Sequence, residues 1–271
     1  MAWPLMQEHS HLGASIDDGR VISYLGETPL DEARKGVCLY DLSGCLYSFV
    51  SGEDAHSYIE SLCAGTKLPV ASCGFSAVLT GDGALVSVPL AVRGGEHEYM
   101  LLDVSDKGET LKAWMGFVQG IERQGSRPFE SVAVEDATDL LVPLMLLGER
   151  VDELIGDYTG DQALPSRGQV ASIAFDRVPC VLAHLDAFDG ACFIVFAPPS
   201  FSVRLFRSFL SFTYVHPQGM LSAQQLLDTL PWGSALRESD RIEIPHDDLA
   251  SWSILRPDAD YIGARGILGT R

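Results

Sequence analysis

Few residues of this sequence stand close enough along the chain to do chemistry together. His246-Asp247-Asp248 sets one imidazole beside two carboxylates, the donor types of a metal site. Consecutive side chains point in different directions, so the segment is expected to be a solvated loop rather than a ligand cluster. Asp186 and Asp189 precede Gly190, an arrangement in which aspartates hydrogen-bond their own backbone in a turn. The six cysteines, at 38, 45, 63, 73, 180 and 192, lie at least seven positions apart and form no CxxC pair, so neither a zinc ribbon nor a redox dithiol is expected. Cys63 and Cys192 have apolar neighbours and are expected to pack as small buried hydrophobes. There is no GxSxG elbow, no GxGxxG after a strand and no GxxxxGK[ST] loop, which argues against a serine triad or a phosphate cradle.

The charge balance narrows the partners. The 271 residues carry a formal charge of −18 with 46% hydrophobic content, enough apolar material for a sizeable core and too much negative charge for non-specific binding to phosphate backbones or anionic lipid. The longest stretch without Asp, Glu, Lys or Arg, 208–227, is interrupted by His216-Pro217-Gln218-Gly219 and is not expected to span a bilayer. The first residues lack a basic segment followed by an apolar run, so no secretory signal is expected and the cytoplasm is the default location. No nucleic acid and no membrane is expected among the partners.

Any site must be held by the elements around it, and these alternate between strand and helix periods, which predicts an α+β protein. A strand over 46–50 leads to a helix with Ala55, Tyr58, Ile59 and Leu62 on one face, capped by Ser51 or Asp54. Segments 74–79 and 84–92 flank Thr80-Gly81-Asp82-Gly83 as a β-hairpin, with both glycines able to supply positive φ. A strand over 98–104 and a helix over 107–118 complete this unit. The second half repeats the theme less cleanly: a strand over 140–147, a helix over 149–156, strands 178–184 and 191–197 around the Asp186 turn, and helices over 201–212 and 221–230.

In chain order, His11 to Ala14 (HLGA), 36–43 (GVCLYDLS) and 50–55 (VSGEDA) resemble the opening of the glycine-cleavage T-protein (aminomethyltransferase) family. The turn 81–86, Leu146-Leu147-Gly148 and Asp260 to Gly263 are similar to later segments of that family. Pro245 to Trp252 fits a further family segment without a gap, placing Asp247 on its glutamate, and counting back puts Glu238 on another family glutamate. The resemblance implies a T-protein-like folate-binding fold of two pseudo-symmetric α/β-sandwich halves with antiparallel sheets. It also implies a shortened, divergent member without the family's C-terminal β-domain. The first domain would comprise 1–45 and 141–235, and the second, a ferredoxin-like unit, 46–140 and 236–271.

By the same resemblance the cofactor would be tetrahydrofolate and the reaction a methyl or aminomethyl transfer. In the family a hairpin aspartate sits beside the reactive folate nitrogen, a glutamate pairs with the pterin donor edge, and arginines support the pocket. Matched without gaps, Ser87 and Val88 fall on the hairpin aspartates, His184 on an arginine, Ala187 on a tyrosine, Gly190 and Ile194 on glutamates, and Ala223 and Leu227 on arginines. Each pterin donor left unpaired would cost roughly 1–3 kcal/mol, one or more decades of affinity.

The residues expected to contact a folate-type ligand are therefore Ser87, His184, Asp186, Asp189 and Trp252, with no catalytic residue and no metal ligand assigned. For each a plainer role stands beside the ligand role. Ser87 offers a hydroxyl but no charge. His184 is either a donor replacing arginine or a satisfied strand residue. Asp186 and Asp189 reach the pocket through a one-residue bulge, or simply form the turn. Trp252, like Trp232, is a pocket wall or core. Arg93, Arg237, Arg241 and Arg256 are the basic groups available to offset the negative charge. Three functions follow: a tetrahydrofolate-dependent transferase with an altered site, a non-catalytic folate-binding or accessory subunit of a larger oxidase or transferase complex, or a pocket turned to a less anionic ligand.

Overall fold

The computed structural model describes residues 3–122, 125–238 and 242–268. The chain opens with α1 (Met6–His11), β1 (Ala14–Asp17), β2 (Arg20–Tyr24), α2 (Leu30–Ala33) and β3 (Val37–Asp41). Next come β4 (Leu46–Ser51), α3 (Ala55–Leu62), β5 (Ser72–Phe75), β6 (Val78–Leu79), β7 (Leu85–Ser87), β8 (Leu90–Gly95), β9 (Glu98–Asp103), α4 (Gly108–Gln119) and β10 (Ala133–Asp136). The third stretch holds β11 (Val142–Gly148), α5 (Val151–Thr159), β12 (Val170–Phe175), β13 (Val178–His184), β14 (Ala191–Ala197), α6 (Pro199–Phe209), β15 (Val215–Gln218) and α7 (Met220–Leu227). Three short helices close the described chain: α8 (Ala235–Glu238), α9 (His246–Ser251) and α10 (Ala264–Leu268). None of the described helices is long and apolar enough to cross a membrane.

Two compact units emerge, one from 1–44 with 137–226 and one from 45–136 with 227–271. The first is built on a six-stranded sheet in the order β12-β13-β14-β11-β3-β15. Every pairing in it is antiparallel except β15 with β3, which is parallel. One face of this sheet presents Val37, Leu39, Leu144, Leu146, Leu182 and Val195 to Leu154, Ile155, Leu205, Phe206 and Phe209 of α5 and α6. The alternation of strand side chains between faces puts these residues on one side, and the helical repeat of the two amphipathic helices covers them.

The second unit has a five-stranded antiparallel sheet ordered β10-β4-β9-β8-β5, with α3 and α4 packed on it. Ala55, Tyr58, Ile59 and Leu62 are all buried, as the helical spacing predicts. The cap differs: neither Ser51 nor Asp54 bonds the first turn of α3, and the Asp54 carboxylate accepts the backbone N–H of Ser131 instead.

The predicted hairpin around Thr80 to Gly83 divides in two. β6 pairs with β7, whereas β5 pairs with β8. Pro89 causes the break, because it has no N–H to continue the ladder, and its carbonyl accepts the N–H of Ser76. Gly83 adopts φ +91° but Gly81 keeps a negative φ, so one glycine rather than two carries the turn. A Cβ at Gly83 would also lie 2.8 Å from the backbone nitrogen of Ile267. Gly83→Ala is therefore expected to destabilise the protein by about 1–3 kcal/mol, measured as a lowered urea midpoint at unchanged slope.

Candidate functional site

Ser87 ends β7 and is fully buried. Its hydroxyl donates to Oδ2 of Asp103 at 2.5 Å, and Asp103, the last residue of β9, is itself 1% exposed. The other carboxylate oxygen, Oδ1, accepts the backbone N–H of Ser105 at 2.9 Å and the Ser105 hydroxyl at 2.7 Å. A buried carboxyl group needs such donors, because polar oxygens left unpaired in the interior are costly. The hairpin position where the resemblance predicts a carboxylate thus carries a hydroxyl bonded to a buried one from the neighbouring segment. Sequence reasoning missed Asp103. The available signal was Asp103-Val104-Ser105 itself, which repeats the spacing of Asp41-Leu42-Ser43 at the end of another strand.

The two Asp-x-Ser segments share one local geometry. Oδ1 of Asp41 accepts the Ser43 N–H at 2.9 Å and the Ser43 hydroxyl at 2.5 Å, and its Oδ2 lies 2.8 Å from His9 Nε2. His9 is fully buried, and its Nδ1 lies 2.7 Å from the Tyr24 hydroxyl. With Asp41 as acceptor, Nε2 carries a hydrogen and the phenol donates to Nδ1. The ring also meets Phe206 edge-on at 5.0 Å. The histidine that matters in the N-terminal segment is therefore His9, two residues before the start of the matched HLGA stretch.

His184 lies on β13, half-buried, with its ring stacked 4.0 Å from that of Phe193. Its Nδ1 hydrogen goes to the carbonyl of Pro165 at 3.0 Å, since a carbonyl only accepts. These contacts account for one ring nitrogen and one ring face, while Nε2 is buried as well. Asp186 and Asp189 are exposed in the turn after it. The β13–β14 register runs unshifted from Val181↔Phe196 to His184↔Phe193, so no bulge redirects either aspartate. Arg167 braces this turn by donating to the Gly190 carbonyl at 2.8 Å, and Arg34 donates to that of Asp189 at 3.1 Å. Gly190 supplies φ +92°. Trp252 is half-buried at the end of α9, and Trp232 packs in the second unit against Phe75 at 5.5 Å. Ser87 and Trp252 thus belong to one unit, and His184, Asp186 and Asp189 to the other.

The loop expected at His246 to Asp248 is instead the first turn of helix α9, preceded by Pro245 in an extended conformation, with both aspartates exposed. No group of metal-ligating side chains gathers among the described residues. Of the basic candidates, Arg93 donates to the carbonyls of Leu68, Gly95 and Glu96, Arg237 pairs with Asp228, and Arg256 is buried against backbone carbonyls. Arg241 and the side chain of Glu238 lie outside the described residues. Ala223, where the resemblance predicts an arginine, is buried within α7. All six cysteines are reduced and buried, and burial pushes the thiols of Cys38, Cys63 and Cys73 up to about 12 and that of Cys180 to about 11. These four are packing residues that stay protonated at neutral pH.

No family model matches the sequence. A 130-residue stretch, 47% of the chain, is 28% identical to a probable aminomethyltransferase of Thermococcus gammatolerans and 27% identical to one of Thermococcus kodakarensis. That stretch spans 32% of the length of each of these curated relatives. Among solved structures, the glycine cleavage system aminomethyltransferase T of Bartonella henselae superposes with a TM-score of 0.71 at 17% identity, over 98% of this chain and 73% of that one. The protein is T-protein-like, an α+β chain with the fold of aminomethyltransferase T.

Proposed function

We propose that this chain is an aminomethyltransferase-like protein that binds a reduced folate and takes part in one-carbon transfer through a rearranged anionic site. The observation that carries the reading is the buried carboxylate of Asp103 against Ser87. An electron-poor one-carbon unit or a pterin N–H needs a fixed negative group nearby, and a carboxylate already desolvated and held by donors supplies it without reorganisation. The matched relatives are probable aminomethyltransferases, which supports the same reaction class. Of the residues expected from sequence, the reading keeps Ser87 as the ligand contact and Trp252 as a wall. Asp186 and Asp189 serve the turn, and His184 the strand.

Titration calorimetry with tetrahydrofolate tests the premise. Binding with a Kd below about 1 mM is expected, a modest affinity because the pocket arginines are replaced by Ala223 and Leu227. An absence of heat at that concentration would leave the accessory-subunit reading, in which the chain contributes the fold and a partner contributes the chemistry.

A further inference from the structure

We propose that β12, the outer strand of the six-stranded sheet, is an interaction surface for a second copy of this chain, joined edge to edge through an antiparallel β12–β12 pair. The inference holds whether or not the folate reading does. β12 runs from Val170 to Phe175 and ends the sheet, with β13 as its neighbour. In an antiparallel ladder alternate residues turn both backbone groups to the same side. Ala174 shows which side: its N–H donates to Oε1 of Gln162 at 3.0 Å, and its carbonyl accepts from Nε2 of Gln162 at 2.9 Å. Val170 and Ser172 share that parity, so their N–H and C=O groups also face away from β13. Among the described residues no hydrogen bond reaches these outward groups. Gln162 is an exposed residue in the loop after α5, and its carboxamide makes the two bonds that one residue of an added strand would make.

Sheet edges are ordinarily kept from such pairing by a charge, a proline or a bulge. β15, at the other end of the same sheet, carries Pro217, and β10, an edge of the second unit's sheet, exposes Glu135 and Asp136. β12 has no charged residue and no proline, and its register with β13 runs unshifted. Ala171, Ser172 and Ala174 are small, so a neighbour reaches the strand spacing without a clash. The charges at its ends balance. Arg167 pairs with Asp186 before the strand and Arg204 with Asp176 after it, while Arg177 and Asp161 add one charge of each sign. A basic or an acidic segment therefore finds little counter-charge here, and the overall charge of −18 does not hold off a second copy at this edge. The neutral partner strand that the edge calls for is β12 itself. A two-fold axis at Ser172 sets Ser172 opposite its own copy and Val170 opposite Ala174, which brings all the outward groups into register. Gln162 must leave Ala174 for the outer pairs to close, so its carboxamide sets the threshold for association.

Sedimentation velocity of the full chain, up to about 200 μM, is expected to show a reversible monomer–dimer equilibrium with a Kd of about 100 μM or tighter. Gln162→Ala uncovers Ala174 in both copies and is expected to tighten the dimer at least about tenfold. Ser172→Pro removes an outward N–H that the ladder with β13 does not use, so the fold keeps its bonds and the dimer is lost. Ser172→Lys, at an exposed position, is a second variant that leaves the fold alone, and it is expected to weaken the dimer at least about tenfold. Amide hydrogen exchange at Ser172 of the wild-type chain is expected to slow about fivefold or more as the concentration rises through the Kd. A wild-type chain that stays monomeric at about 200 μM overturns the proposal. So does a dimer that Gln162→Ala fails to strengthen, that both Ser172 variants retain, or that forms without slowing exchange at Ser172. The concentration series on the wild-type chain needs no variant, so a substitution that fails to fold cannot shield the proposal.

Discussion

Arg256→Ala is expected to lower the unfolding free energy by about 3–5 kcal/mol, measured by urea titration followed through tryptophan fluorescence. The guanidinium is buried and donates to the carbonyls of Glu60, Cys63 and Gly65, while its Nε bonds Asp260 at 2.6 Å. Glu60 lies in the last turn of α3 and Cys63 just past it, where backbone carbonyls have run out of helical partners. A cation at that end also complements the helix dipole. Truncation strands those carbonyls and leaves a cavity beside Tyr261, whose ring lies 5.0 Å from the guanidinium carbon. The carbonyls rather than the ion pair carry the effect, because the Asp260 side chain is 46% exposed and also contacts Lys67 at 2.7 Å. Asp260→Asn is accordingly expected to cost less than about 1 kcal/mol. A similar loss in both variants would show that the ion pair, not the capping of α3, holds the segment around Arg256 in place.

That segment also marks how far the sequence could be read. The α3 face was legible because Ala55, Tyr58, Ile59 and Leu62 recur at the helical period, and the Gly83 turn because few residues tolerate positive φ. The fold class followed from the alternation of periods together with the order of weak family-like segments. The carbonyl partners of Arg256 were not legible, since they lie 191 to 196 positions away and have no side-chain signature. The parallel pairing of β15 with β3 was hidden for the same reason: no hairpin turn announces a crossover of that length. β12 was missed altogether, because Ala171, Ser172 and Ala174 dilute its pattern and its identity comes from pairing with β13. At the candidate site, Ser87 was found by matching positions, whereas Asp103 required knowing that β9 ends beside β7. A carboxyl group brought to Ser87 only by the folding of the chain is invisible to a one-dimensional match.

His9→Ala is expected to cost about 3–5 kcal/mol, because it leaves the Asp41 carboxylate buried without the ring N–H that meets its Oδ2. Asp41→Ala is expected to cost a similar amount, releasing the hydroxyl and N–H of Ser43 as well as the histidine. The double variant should lose much less than the sum, with a coupling of about 1–3 kcal/mol, since each single change already strands the other partner. Strict additivity would mean that the two side chains are stabilised independently, by packing against Phe206 and the sheet rather than by each other. Comparison with Ser87→Ala separates the two Asp-x-Ser arrangements. There the lost partner is one neutral hydroxyl and Asp103 keeps both donors from Ser105, so the expected cost is only about 1–2 kcal/mol. The difference has a functional sense under the proposed reading. In the first unit the outer carboxylate oxygen is closed by a fully buried imidazole and serves the fold. In the second it meets a neutral hydroxyl, whose removal is expected to cost the fold less.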